Sequence, residues 1–266
     1  MTDSSAFIYY RHYAADPYFN MAFDEWMLRQ AMHRPEAVYL RLYSWMPGAI
    51  TFGYNQRFER AIDASKLGDT PVIRRVTGGR AIYHDPSEIT YAIASNADSK
   101  AVQALSGSTS EVSARIAEAL ALFLSRLRID AEYVRQSSAQ NSRPDFFHAA
   151  PCFASLARYE LVAGERKVVA SAQKRLGNAF LQHGAIKLNG VVSHGALPNA
   201  STDVIQFMQP LDRPTFDSLS GRFVEAFGVH FGIDFKCERG DQGCNEGLEN
   251  GVAEIQKKAL EKRDLD

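Results

Sequence analysis

Apolar residues recur along this chain with two periods, and the switching between them sketches a mixed chain of helices and short strands. Phe19, Ala22, Phe23, Trp26 and Met27 return at helical spacing behind Asp16-Pro17, an N-cap followed by proline at the first helical position. Short β-rich runs follow at Val38 to Tyr43, Ala49 to Phe52, Val72 to Val76, Ala81 to His84 and Ile89 to Ile93, set apart by Pro, Gly and Asp. Ser108 to Glu111 spells a capping box, and Val112, Ile116, Leu120, Phe123 and Leu127 continue it as the stripe of a second helix. Ala131 to Arg135 reads as another strand. Ser137 to Pro151, polar in its first half and carrying two prolines, predicts a long loop leading into Cys152.

A second set of strands is expected at Arg158 to Val162, Lys167 to Ser171, Phe180 to Leu188 and Val191 to His194, with Gly164-Glu165 as the turn joining the first two. Phe216, Leu219, Phe223 and Phe227 form a third helical stripe, with Gly228 as its expected C-cap. From residue 238 the composition changes to a Gly/Asp/Asn-rich linker and then a charged helix bearing Leu248, Val252 and Ile255. The expected organisation is one domain over 1–237 and an appended segment over 238–266.

Composition narrows the function classes. A chain of 266 residues, 45% hydrophobic and 11% aromatic, can bury one large core or two small ones. Its 30 Lys+Arg against 31 Asp+Glu leave a net charge of -1, so no bulk positive field draws nucleic acid or an anionic membrane, and any basic function is local. The first residues lack a charged segment followed by an apolar core, and no window approaches the roughly 18 apolar residues a spanning helix needs. A cytoplasmic protein is expected. Three cysteines without a CxxC pair or a histidine-rich cluster suggest neither a disulfide framework nor a metal site, and leave room for a free thiol.

The densest chemistry is the run Arg74-Arg75-Val76-Thr77-Gly78-Gly79-Arg80-Ala81-Ile82-Tyr83-His84-Asp85. Adjacent glycines let main-chain N–H groups approach a ligand closely, and guanidinium forks add charge and directed donors. The same residues also fit a plain Gly-Gly hairpin turn with solvated arginines. A second block runs from Pro151-Cys152-Phe153 through Lys167-Val168-Val169-Ala170-Ser171-Ala172-Gln173 to Gln182-His183-Gly184. Cys152 is either a small buried apolar residue or a nucleophile, and an ammonium brought back by the Gly164 turn would stabilise its thiolate. Lys167 is either that ammonium or a solvated hairpin lysine. His84, ahead of Asp85-Pro86, reads as a structural histidine bonded to its own turn.

In this order the motifs Arg-Arg-x-Thr-Gly-Gly-Arg-Ala-x-x-His-Asp, Pro-Cys-Phe, Lys-Val-Val-x-Ser-Ala-Gln-x-Arg and Gln-His-Gly resemble the lipoate-protein ligase and octanoyltransferase superfamily, over roughly residues 15 to 230. The resemblance implies an α+β fold with mixed, largely antiparallel sheets flanked by helices, 1–237 being the catalytic domain. ATP-dependent ligases of the superfamily typically carry a third glycine where this chain has Arg80, as the cysteine-dependent octanoyltransferases do. Ala170, standing where glycine is usual, and Ser155-Leu156-Ala157-Arg158 depart from the family pattern and bear on substrate choice.

By that resemblance Cys152 accepts an octanoyl (or lipoyl) group from octanoyl-acyl carrier protein and Lys167 lowers its pKa. The acyl group then passes as an amide to the lysine of a lipoyl domain, in 2-oxoacid dehydrogenase acyltransferase subunits or the glycine cleavage H protein. Arg75, Thr77, Gly78, Gly79, Arg80, Ala81, His84, Ser171, Ala172, Gln173, His183 and Gly184 are the expected walls of the acyl and carbonyl site. Aminolysis of a thioester runs downhill, so no cofactor is expected, and about six buried methylenes would supply roughly 5 kcal/mol of chain recognition. The alternatives are an ATP- and magnesium-dependent lipoate ligase acting through lipoyl-adenylate, an octanoyl amidotransferase between lipoyl domains, and a binding module without turnover.

Overall fold

The computed structural model describes residues 7–97, 103–133, 160–164, 166–198, 204–237, 251–255 and 257. Its backbone is an eight-stranded sheet, a three-stranded sheet and a two-stranded ribbon, with helices on the faces of the large sheet. Strands β1 (Phe7–Ala15), β2 (Val38–Trp45), β3 (Ala49–Phe52), β4 (Val72–Arg74), β5 (Ile82–His84) and β6 (Ile89–Asn96) come first. They are followed by β7 (Glu132–Tyr133), β8 (Leu161–Ala163), β9 (Arg166–Leu176), β10 (Ala179–Ile186), β11 (Asn189–Val191), β12 (Val204–Gln206) and β13 (Lys236–Cys237). The large sheet runs β13-β1-β2-β6-β10-β9-β8-β7, parallel at β13-β1-β2 and antiparallel elsewhere.

The helices form where their ends are satisfied. In α1 (Pro17–His33) the Asp16 carboxylate accepts from the N–H groups of Tyr18 and Phe19, both at 3.0 Å. A short α2 (Phe58–Ala61) follows β3. In α3 (Thr109–Arg126) the capping box closes in both directions, Glu111 N to Ser108 Oγ at 3.3 Å and Ser108 N to Glu111 Oε2 at 2.8 Å. Asp212 caps α4 (Arg213–Phe231), which runs past Gly228 and ends on Gly232 in the left-handed conformation at φ 66°. The C-cap expected at Gly228 thus lies one turn too early, because Ile233 N still reaches the Gly228 carbonyl at 2.9 Å.

Strand alternation divides the core. Leu40, Leu42, Tyr91, Ile93, Phe180 and Ile186 face α3 and α4, while Tyr39, Tyr43, Trp45, Ala92, Ala94 and Leu181 face α1. A third cluster, Ile50, Phe52, Ala61, Ile62, Ala81, Ala196 and Leu197, lies under the small sheet. Val252, in the helical turn 251–255, is buried against the α1 cluster.

Two sequence expectations change, and one strand was not foreseen. The strand β1 carries no periodic signal that singled it out, yet it lies between β2 and β13 by parallel pairing. The strand expected over 191–194 is instead β11, pairing with β12. Most consequential, β4 and β5 do not pair with one another: both flank β3, one parallel and one antiparallel. The Gly78-Gly79 stretch is therefore a loop carried across the end of β3, not a hairpin turn. The turn between β8 and β9 falls at Gly164 as expected, with φ 60°, while Glu165 lies outside the described residues.

Candidate active site

The loop 75–81 is built on β3 and its extension. Arg75 N donates to the Phe52 carbonyl at 3.0 Å, and Tyr54 N donates to the Thr77 carbonyl at 2.9 Å. Gly53 lies so close beneath the loop that a Cβ there would run into the Gly79 carbonyl oxygen, and Gly79 itself sits at φ 94°. Around Gly78 there is open space among the described residues, with no atom beyond its chain neighbours within 4 Å of where a Cβ would stand.

Arg75, buried, organises this loop from behind. Its Nη2 donates to the carbonyls of Gly78 and Arg80, both at 2.8 Å, and its Nε reaches Gly78 O at 3.2 Å. Two loop carbonyls are thereby turned inward. Among the described residues no acceptor takes the N–H of Gly78, Gly79 or Arg80. The loop thus offers main-chain donors beside open space.

Arg75 is also the midpoint of a continuous buried polar chain. On one side its Nε donates to Thr77 Oγ1 at 3.2 Å, Thr77 Oγ1 meets His183 Nε2 at 2.7 Å, and His183 Nδ1 meets Asp24 Oδ2 at 2.8 Å. On the other, Nη1 donates to Thr51 Oγ1 at 3.3 Å, Thr51 Oγ1 meets His84 Nε2 at 2.9 Å, and His84 Nδ1 meets Glu88 Oε1 at 2.7 Å. The order carboxylate, imidazole, threonine hydroxyl is the same on both arms. Each Nδ1 faces a carboxylate and so carries the proton, and each threonine accepts from Arg75 while donating to Nε2. Both imidazoles are neutral in this assignment.

Each arm ends on a second buried cation. Asp24 accepts from Arg41 Nη1 at 2.9 Å and from the Tyr43 hydroxyl at 2.7 Å, and Glu88 pairs with Lys187 Nζ at 2.5 Å. Arg41 lies 3.9 Å over the Tyr43 ring and 4.4 Å over that of Phe23. His84 stacks on Trp45 at 4.0 Å, and burial holds its pKa below the usual imidazole value against the opposing pull of Glu88. Burial alone would raise Glu88, but the charge of Lys187 and the hydrogen bond from His84 Nδ1 outweigh it and hold the carboxyl below its usual value.

The expected site residues separate onto two faces of the large sheet. Ala172 pairs with His183 and faces the glycine loop, its Cβ 3.9 Å from where a Gly79 Cβ would stand. Ser171, Gln173 and Gly184 belong to the opposite face. There the Ser171 hydroxyl meets Tyr91 Oη at 2.8 Å, Gln182 Nε2 donates to the same oxygen at 2.9 Å, and Gln173 Nε2 donates to Gln182 Oε1 at 3.0 Å. A Cβ on Gly184 would stand 2.7 Å from Tyr91 Cε1, so that glycine makes room for the ring. Ala81 packs into the cluster under the small sheet, and Arg80 is half-buried.

Lys167 sits second in β9, across from Val162, and its Nζ pairs with Glu160 Oε1 at 2.6 Å, both side chains buried. It is not a solvated hairpin lysine. Cys152, with Pro151 and Phe153, lies outside the described residues, as does Cys244. Among the described residues no group of three His, Cys, Asp or Glu side chains could hold a metal ion, and no helix is long and apolar enough to cross a membrane.

The profile of the lipoyl protein ligase A/B catalytic domain matches residues 16–205, which takes in α1, both arms of the buried chain and the glycine loop. The chain belongs to this family. Among its relatives, octanoyltransferase LipM of Moorella thermoacetica is 39% identical over 176 residues, 65% of this chain and 62% of the relative. Octanoyltransferase LipM of Carboxydothermus hydrogenoformans is 38% identical over 170 residues, 63% of this chain and 59% of the relative. The match thus spans about six tenths of the length of these relatives. The fold is that of lipoate-protein ligase A solved with ATP, at TM-score 0.69 and 19% identity, covering 96% of this chain and 94% of that one. A bipartite lipoate protein ligase of Thermoplasma acidophilum has TM-score 0.64 at 17% identity, covering 96% and 92%.

For a lipoyl protein ligase A/B domain, the residues that sequence reading missed are those that fix the glycine loop: Asp24, Thr51, Glu88, Arg41, Lys187 and, under Lys167, Glu160. Signals for two of them existed. Asn20 and Asp24 interrupt the apolar stripe of α1 four residues apart, and both bond Arg41. Glu160 lies at the start of a hairpin whose far strand brings back Lys167.

Proposed function

We propose that this chain transfers an octanoyl group from a carrier-protein thioester to the lysine of a lipoyl domain, through a thioester on Cys152. The observation that carries the reading is the glycine loop: three N–H groups without an acceptor among the described residues, beside the open space at Gly78, with the carbonyls of Gly78 and Arg80 drawn inward by Arg75. Such an array suits a carbonyl oxygen that gains negative charge, and donors of this kind typically contribute about 3 kcal/mol each to an acyl-transfer barrier. The names of the relatives at 38–39% identity support the same chemistry.

In this reading the Cys152 thiolate adds to the thioester carbonyl, whose oxygen takes the N–H groups of Gly78 and Gly79. The carbon–sulfur bond to the carrier breaks, the carrier leaves as its thiolate and takes a proton from solvent, and an S-octanoyl enzyme remains. The neutral amine of the acceptor lysine then adds to the same carbonyl, the bond to Cys152 breaks, the amine's proton passes to solvent, an amide forms and the Cys152 thiolate returns. Neither step consumes ATP. Lys167, anchored by Glu160, supplies positive charge near the developing anion; octanoyl-acyl carrier protein is the donor and lipoyl domains of 2-oxoacid dehydrogenase subunits or of the glycine cleavage H protein are acceptors.

The test incubates the protein with octanoyl-acyl carrier protein in the absence of ATP and weighs it intact. An octanoyl increment that hydroxylamine removes, and that Cys152→Ala lacks, is expected. ATP-dependent transfer of free lipoate that survives Cys152→Ala, with no such increment, overturns the reading in favour of an adenylating ligase.

A further inference from the structure

We propose that the rim of the glycine loop carries a docking surface for an acidic carrier domain, the folded protein that brings the acyl thioester to the site. The inference rests on the acyl-transfer reading and adds to it the place where the donor protein sits. Its centre is Tyr54, 57% exposed, whose backbone N–H is bonded to the Thr77 carbonyl of the loop itself. Lys174 Nζ lies 5.0 Å from the Tyr54 ring centroid. Arg74 Nη1 donates to the carbonyls of Tyr54 and Gln56 at 3.1 and 2.7 Å, and its guanidinium lies 4.4 Å over Phe52. The same turn continues into Arg57 and Arg60, both exposed, which line one small cleft with Asn55 and Gln56.

These groups form one contiguous band. Among the described residues none of Arg57, Arg60, Arg74 and Lys174 has a carboxylate partner, whereas the neighbouring Lys66 is spent on Asp63 at 3.1 Å. Glu59 is the one exposed carboxylate within the band, leaving it about three charges positive. The whole chain is at -1, so the rest of it is net negative and this local excess is of the opposite sign.

The chemistry of the surface selects its occupant. Arg74 and Lys174 are held by backbone carbonyls and aromatic faces, which leaves their charge uncancelled and directed outward. Such a band speeds encounter with a protein of opposite sign and does so less as salt rises. Tyr54 adds a large apolar contact of the kind that anchors interfaces. Because Tyr54 is bonded directly to the glycine loop, a domain seated there would deliver its thioester arm beside Gly78.

The experiment compares two octanoyl donors on the full chain, octanoyl-acyl carrier protein and the small carrier-free thioester octanoyl-N-acetylcysteamine. In the double variant Arg57→Glu/Arg60→Glu, KM for the carrier-bound donor is expected to rise about tenfold or more with kcat little changed. Activity on the carrier-free donor stays at the wild-type level, which also reports that the variant folds and that the acyl chemistry is intact. Raising ionic strength raises KM of the wild type for the carrier and has much less effect on the variant. An unchanged KM for the carrier, or an equal loss on both donors, overturns the assignment of this surface; absence of wild-type activity on either donor would instead overturn the acyl-transfer reading beneath it.

Discussion

Replacing Arg75 with lysine tests whether the buried guanidinium shapes the glycine loop. Arg75 donates to Gly78 O from two nitrogens, to Arg80 O, and to the hydroxyls of Thr77 and Thr51. A lysine keeps the charge but ends in a single nitrogen, so it cannot span both threonines while holding both carbonyls. At least two charge-assisted bonds are lost, at about 1.5–3 kcal/mol each before relaxation, and a net cost of about 3 kcal/mol is expected. For a chain of this size that lowers Tm by roughly 6–12 °C. Released carbonyls let the loop N–H groups swing away from the reacting oxygen, and a misplacement of this kind costs roughly a hundredfold in rate. Thermal unfolding followed by circular dichroism measures the first effect and initial rates of acyl transfer the second. Arg75→Met serves as companion: it leaves the same carbonyls without any donor, so its Tm should fall further. A lysine variant with Tm within about 1–2 °C of wild type and an unaltered rate would refute the role given to the fork.

The two neighbouring glycines should behave oppositely. Gly53→Ala sets a Cβ against the Gly79 carbonyl and forces the backbone to move, so Tm should drop by several degrees; Gly78→Ala meets open space, so it should unfold like wild type while slowing acyl transfer, and equal Tm values for the two would contradict the packing. Stability should also fall on mild acidification. Burial holds the pKa of His12 well below the usual 6.5, with Arg41 adding to it, and burial lowers His84 in the same direction. The unfolded chain therefore binds these protons first, so the stabilisation is complete above about pH 6.5 and is lost as pH falls through the folded values, with Glu88 following below its usual 4.5. Tm measured from pH 7.5 downward should decline, and His12→Asn, which keeps an acceptor for Arg41 Nε, should flatten the curve; a wild-type Tm constant to pH 5 would show that these histidines take up protons in the fold as readily as in the unfolded chain.

The elements that sequence pattern reached are those whose signal is local. The capping box at Ser108, the Asp16-Pro17 start of α1 and the apolar stripes of α3 and α4 lie within a few residues of one another, and each forms where it was expected. What pattern could not reach depends on pairing at a distance. The strand β1 mixes aromatic and basic residues, and it becomes a strand through parallel partners on both sides, Val38 to Trp45 and Lys236 to Cys237. Asp24 and His183 stand 159 positions apart, so no motif spacing connects them. The site motifs were visible as residue types, but their division between two sheet faces followed only from the register of β9 against β10. That register sends Ala172 with His183 one way and Ser171 with Gly184 the other.

The three arginines of the glycine stretch, alike in sequence, do three different things. Arg75 is turned inward and bonds protein carbonyls and hydroxyls, Arg74 is spread over Phe52 and two carbonyls at the rim, and Arg80 contributes its own carbonyl to Arg75. The donors described at the loop are main-chain N–H groups, and in the acyl-transfer reading they meet one carbonyl oxygen acquiring partial charge. The buried histidines give the same indication. With Nδ1 committed to a carboxylate and Nε2 to a threonine, neither His84 nor His183 has a nitrogen left to take a substrate proton. Their part is to hold Thr51 and Thr77, and through them Arg75, so the stiffness of the loop comes from a polar chain running from Asp24 to Glu88 beneath it.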